Sequence, residues 1–389
     1  MISLNLTFSD EFIDEYSFFC VNYLKVRMNE IKQKTNHETS SKLDKLFNEE
    51  ELIKIISAEP SELESISNKI YSEIPVLAER YHQKKFFSKF LFEDDYKKIK
   101  LNTNEGRIKI IEIKDKIVLE IQKFQALSPS ILLEEVLLNI KDLTKASAIK
   151  SELNTIKSII TGTCKADRDF IKKFPEWVED ISNAFNYVYV MRDYGKKIIE
   201  IIDLEYCPYC ADEEIEAFKS YRPAIDHYFP QSKYPFLALS LYNFIPSGNR
   251  CNSNFKKAHL MENHFHPNLD VMPSQRLFEF LFPLDRKITE DDVKVSLKNV
   301  CNKLEANNKL FKLDEVYNKN GIKRKFAYLH DKVNWLIQAG MDKNNIISDS
   351  EQIHRNLNID LALSSKKVQH KKFMVDSINF LCDCSLNTD

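Results

Sequence analysis

The chain has 389 residues, enough for two or three domains with a substantial core, and its 43% hydrophobic and 29% charged residues are ordinary for a soluble globular protein. A formal net charge of −2 excludes a globally basic nucleic-acid coat, so any contact with nucleic acid has to come from a local patch. Only six glycines occur; sheets with many tight turns need glycine at positive φ, so the scarcity points to a mainly helical protein.

The opening stretch, MISLNLTFSDEFIDEY, has neither the basic n-region nor the apolar h-region of a secretory signal. No apolar run approaches the roughly 20 residues that span a bilayer, so no membrane association is expected. Residues 1–203 read as a run of amphipathic helices. DEFIDEYSFFCVNYLKVRMNEIKQK and SILLEEVLLNIKDLTKASAIKSELNTIKSIITG carry apolar residues at helical spacing, with Asp10 and Ser128 where N-caps belong. KKIKLNTNEGRIKIIEI interrupts them: polar and apolar residues alternate around Asn-Glu-Gly, which predicts a small hairpin. RDYGKKIIEIIDLEY then reads as a helix leading to the first cysteine pair.

From 204 to 267 the composition shifts to turns, prolines, tyrosines and histidines. Beyond it, 268–389 returns to mostly helical patterning in SQRLFEFLF, DDVKVSLKNVCNKLEANNKLFKLDEVYNK and RKFAYLHDKVNWLIQAG, with VKVSLKNV also readable as a short strand. The expected architecture is mainly α, with a small α+β insert clasped between two helical regions. Of eight cysteines, Cys20, Cys164, Cys301, Cys382 and Cys384 are scattered or terminal. That is no disulfide framework, and a reduced cytoplasm is the expected compartment.

The insert holds the chemistry. In YCPYC, Cys207 and Cys210 are spaced for one tetrahedral Zn²⁺, with a redox dithiol as the rival reading. Cys251 adds a third thiol, but Gly248 stands three residues before it, so a second Cys-x-x-Cys is incomplete. A fourth ligand would come from His259, His264 or His266, or from water; alternatively no metal is held and packing supports the turn. Asp226-His227 follows in PAIDHYFPQSKYP, then Asn243 in LYNFIP, then Cys251-Asn252 and the pair Lys256-Lys257. His227 to Met261 contains no carboxylate, whereas 58 acids in 389 residues would place about five in such a stretch. Lys233, Arg250, Lys256 and Lys257 lie in it, suited to phosphate contacts or, more plainly, to a solvated basic face.

These pieces, CPYC, IDHYFP, YNFIP and GNRCNSNFKK, resemble the HNH, or ββα-metal, nuclease family over residues 204–267, about a sixth of the chain. The family pattern runs Cys-x-x-Cys, an Asp-His-x-x-Pro strand, an Asn-Leu-x-Pro turn, and a helix opening with Cys-x-x-Cys-Asn and a nearby Lys. The resemblance implies a metal-dependent endonuclease with His227 as general base and Asp226 and Asn252 holding Mg²⁺ or Mn²⁺. Asn243 would brace the base, and its other reading is an ordinary turn residue. On a regular strand Asp226 and His227 point to opposite sides. Structural zinc would sit on Cys207, Cys210 and Cys251, weakened by Gly248, and Lys256 and Lys257 fall later than the usual Asn-x-x-Lys.

The substrate implied is nucleic acid, double-stranded DNA foremost. Such cores occur in restriction, phage-defence, toxin and mobile-element proteins, and the helical flanks would suit docking to a partner such as an ATPase. FKLDEVYNKN resembles a helical tail that follows HNH modules in some bacterial proteins. Two other classes compete: a non-catalytic nucleic-acid-binding scaffold keeping a degenerate zinc knuckle, and a redox or metal sensor built on Cys207 and Cys210.

Overall fold

A computed structural model describes residues 1–164, 168–218, 222–298 and 300–386. Helix makes up 59% of it and strand 5%, which is what so little glycine allows. The first long helix, Asp10–Gln33, starts where the Ser9 side chain accepts a hydrogen bond from Phe12 N (3.3 Å), with Asp10 and Glu11 in its first turn. The cap is therefore Ser9 rather than Asp10. Phe12, Tyr16, Cys20, Leu24, Met28 and Ile31 recur every three or four residues and are buried on one face, against helices Glu49–Ser57 and Glu176–Ala184. Each such side chain contributes about 1.5–3 kcal/mol through burial.

The predicted hairpin does not form. Thr103 instead caps a 24-residue helix, Asn104–Leu127, its side chain accepting from Gly106 N (3.1 Å). In so short a window, alternation and helical periodicity overlap, and the longer register of Ile110, Ile117, Ile121 and Phe124, all buried, decides for helix. The glycine has a packing reason, because a Cβ on Gly106 would lie 2.0 Å from the Lys100 carbonyl oxygen. Ser128 ends this helix, and the next, Ile131–Ile140, is capped by Ser130.

The β structure is two small antiparallel pairs. β1 (Ala224–His227) pairs with β2 (Phe244–Ser247), with Asp226 opposite Ile245 and His227 opposite Phe244. β3 (Phe278–Leu281) pairs with β4 (Lys294–Leu297). The expectation of helix over SQRLFEFLF is thus corrected to a strand, whose residues alternate buried and exposed, with Phe280 stacked on Phe326 (centroids 4.1 Å apart). The strand reading of VKVSLKNV holds at Lys294–Leu297.

The flanks grip the β1–β2 connection by its backbone. Tyr16 OH donates to Leu239 O (2.9 Å), Ser240 Oγ to Ile55 O (2.6 Å), and Tyr71 OH to Lys233 O. On the C-terminal side, Tyr317 OH donates to Cys210 O (3.0 Å), and Phe311 stacks on Tyr209 with centroids 4.6 Å apart. One apolar core runs through all three stretches, and a smaller one gathers Leu329, Val333, Ile353 and Ile378. No helix among the described residues is long and apolar enough to cross a membrane.

Candidate functional site

Cys207 and Cys210 sit in a tight turn in which Cys207 O accepts from Cys210 N (3.3 Å) and Ala211 N (2.7 Å). Ala211 takes a left-handed φ of 56° to let the chain leave. β2 then delivers the chain to a short helix, Arg250–Lys256, one turn of wide π-helical geometry of the kind enriched at functional sites. Cys251, in its first turn, brings a third sulfur. The three Sγ atoms lie within 4.8 Å of one another and all three residues are buried; no other group among the described residues could hold a metal ion in this way.

Three soft donors converging in a dry site suit Zn²⁺. Cys210 Sγ also accepts from Arg250 Nη2 (3.4 Å) and Asp212 N (3.5 Å), contacts that favour a thiolate. Hydrogen bonds from Cys207 and Cys251 pull Cys210 down, while burial pushes Cys207 up.

Where a fourth cysteine would complete the set, a carboxylate fills the space. A Cβ on Gly248 would lie 2.1 Å from Cδ and Oε2 of Glu213, which accepts from the backbone N–H of Arg250 at 3.2 Å. Any side chain at 248 would have to displace the Glu213 carboxylate. The histidines that sequence offered as substitutes belong to other groupings: His259 packs edge-on to His264 (5.1 Å), and His266 lies against Tyr228 (3.9 Å).

Asp226 and His227 end β1 and diverge as strand alternation requires. Asp226 Oδ2 accepts from Tyr209 OH (2.6 Å) and Oδ1 from Lys256 Nζ (3.0 Å), and the same ammonium reaches His227 O (2.7 Å). Burial pushes the Asp226 carboxyl up, and the Lys256 charge and the two hydrogen bonds oppose it. His227 turns the other way, its Nε2 3.0 Å from Ala238 O and its ring edge-on to Tyr187 (4.7 Å) and Phe244 (5.5 Å). Burial lowers its pKa to about 4, so at neutral pH the imidazole is uncharged.

Asn243, fully buried, braces this arrangement. Its Oδ1 accepts from Phe229 N (2.7 Å), and its Nδ2 donates to Phe229 O (3.1 Å) and Leu237 O (2.9 Å). It thereby fixes the turn after His227 and the peptide beside the carbonyl that His227 meets. Asn252 is partly exposed, and only its backbone is engaged, donating to Gly248 O (2.9 Å) and accepting from Lys257 N (2.8 Å).

The four cations separate into two kinds. Lys256 is buried on Asp226, and Arg250 is committed to Asp212 (2.8 Å) and Cys210, so neither presents a free charge to a phosphate as expected from sequence. Burial of the helix between the knuckle and β1 is the reason, and their charges serve inside the fold. Lys257 is exposed and Lys233 half-buried, and neither side chain has a partner among the described residues. Sequence reading missed Tyr209, Glu213 and Tyr187. Tyr209 alone left a signal, lying inside Cys-Pro-Tyr-Cys. Comparison with protein-family models, curated proteins and solved structures finds no match to the chain.

Proposed function

We propose that the chain is a metal-dependent endonuclease of the HNH type, hydrolysing phosphodiester bonds in nucleic acid. The observation that carries this reading is the order of parts around β1 and β2: an Asp-His strand end, a paired strand, and a helix bearing Asn252, bound to a three-cysteine knuckle and braced by Asn243. His227 is the base. Uncharged at neutral pH, it can take a proton from a water that attacks the phosphorus, and Asn243 holds the turn that orients it.

Asp226 and the unengaged amide of Asn252 are hard oxygen donors that suit Mg²⁺ or Mn²⁺. A cation already sits against Asp226 Oδ1, so a divalent ion there takes the place of the Lys256 ammonium. When bound, it would stabilise the charge developing on the phosphoryl oxygens. Tyr209 keeps the carboxylate aimed by holding the other oxygen. On this reading the substrate is double-stranded DNA, the setting is restriction or phage defence in the cytoplasm, and the helical flanks dock a regulatory partner such as an ATPase.

A second reading, a non-catalytic nucleic-acid-binding scaffold, is favoured by one observation: Asp226 and His227 are only 5% and 9% exposed, and both Asp226 oxygens and the His227 Nε2 are engaged internally. Plasmid cleavage separates the two. With Mg²⁺ or Mn²⁺ the parent is expected to cut, EDTA to stop it, and His227→Ala to fold but cut about 10²–10⁴-fold more slowly. Equal cutting by parent and variant removes His227 as the base. Duplex binding with no cutting under any divalent metal favours the scaffold.

A further inference from the structure

A cleft of about 410 Å³ opens beside the β1–β2 connection, walled on one side by the segment after helix Arg250–Lys256 and on the other by the helical flank. His259 and His264 come from the first wall, His82 and Lys84 from the second, and Lys233 from the β1–β2 connection itself. Its charge is not balanced. The ammonium groups of Lys84 and Lys233 make no side-chain hydrogen bond or ion pair with a carboxylate among the described residues, and Cys164 is the group whose charge acts most on Lys233. The one lining carboxylate, Glu262, is already engaged by His82 Nε2 (3.5 Å) and Tyr234 OH (3.2 Å).

Beside the cleft, the His264 ring is 8% exposed, and its Nδ1 is buried without a hydrogen-bond partner. Burial first, then the neighbouring His259 and Lys256, lowers its pKa to about 4, so the imidazole is uncharged at neutral pH. The C-terminus of helix Ala146–Thr161 also meets the cleft, and its negative end would oppose an anion. Its last carbonyls are occupied, however: Ile159 O by Gly162 N (3.0 Å), and Ser158 O by Thr163 N (2.9 Å).

We propose that this cleft binds a phosphate group through Lys84 and Lys233, with the rings of His259 and His264 beside it. Resting on the endonuclease reading above, its source is a backbone phosphate of the substrate, flanking the bond that is cut. Lys233 follows Asp226 and His227 in sequence and His264 follows Asn252, so a strand held there runs along the same module. Phosphate held by two lysines adds affinity that falls with salt and is blind to base sequence.

The test uses the full chain in EDTA, with a short labelled DNA duplex in one arm and inorganic phosphate in the other. For Lys84→Ala/Lys233→Ala, duplex binding is expected to weaken about tenfold and its log–log salt dependence to drop by roughly two contacts' worth. Inorganic phosphate is expected to shift the imidazole NMR signals of His259 and His264 in the parent and not in the double variant. Lys84→Ala alone, on an exposed side chain, keeps the test alive if the double variant fails to fold. Unchanged binding and salt dependence in the variants, with His259 and His264 indifferent to phosphate, overturns the cleft even where His227→Ala abolishes cutting. Histidine shifts with phosphate but no duplex binding would keep the phosphate site and remove the nucleic acid as its source.

Discussion

The seven residues of helix Arg250–Lys256 serve two sites of opposite design. At its start, Cys251 joins Cys207 and Cys210 in a cluster of thiols that could hold a metal ion, with the Arg250 guanidinium 3.4 Å from Cys210 Sγ. At its end, Lys256 carries the protein's own cation to a buried carboxylate. The first site has three donors and no fourth among the described residues, whereas in the second both Asp226 oxygens are bonded. A metal is expected to be structural at one end and a competitor at the other.

The largest effect that can break this comparison comes from Lys256→Met. With Asp226 buried and its ammonium gone, the loss is expected to be about 3–5 kcal/mol in denaturant unfolding. Added Mg²⁺ or Mn²⁺ should recover part of it in the variant and little in the parent, because only the variant has the place open. A variant as stable as the parent, and indifferent to divalent ions, would mean that Asp226 is not a cation site.

Acid probes the same end by another route. The His227 pKa is depressed in the folded state from near 6.5 to about 4, so the unfolded chain binds more protons between those values. Stability is expected to be full above pH 6.5 and to fall as pH drops towards 4, by at most about 3 kcal/mol from this group. His227→Gln should flatten that part of a melting-temperature profile.

A smaller effect sharpens the other end. Gly248→Cys alone should cost about 1–3 kcal/mol by crowding Glu213. Combined with Glu213→Ala it should complete four thiolates and release zinc to a chelator more slowly than the parent. Equal release rates would show that position 248 does not face the metal.

The legible parts of this molecule are those with a short-range physical cause. Apolar periodicity in DEFIDEYSFFCVNYLK gave a helix to within one residue of its start, and Cys-x-x-Cys with Cys251 gave a sulfur cluster. Asn-Glu-Gly is lost as a turn because the helical register runs on past the window read, through Ile117, Ile121 and Phe124, while Gly106 packs against the Lys100 carbonyl. SQRLFEFLF fits either period in nine residues, and the ring of Phe326, far along the chain, favours the strand. Lys256 and Arg250 read as phosphate contacts because sequence records charge but not the direction a side chain faces.

The sequence by itself determined that the chain is mainly helical, that three thiols meet near an Asp-His strand, and that Asn243 sits where a brace belongs. Glycine scarcity, periodicity and residue chemistry are local properties, and they survive being read in one dimension. Only the tertiary structure decided which cation Asp226 keeps, why position 248 has no side chain, and which lysines remain free for a ligand. Those outcomes depend on which groups lose water together, and residues distant in sequence settle that: Tyr209 and Lys256 around one carboxylate, Glu213 over Gly248, and Lys84 across a cleft from His264.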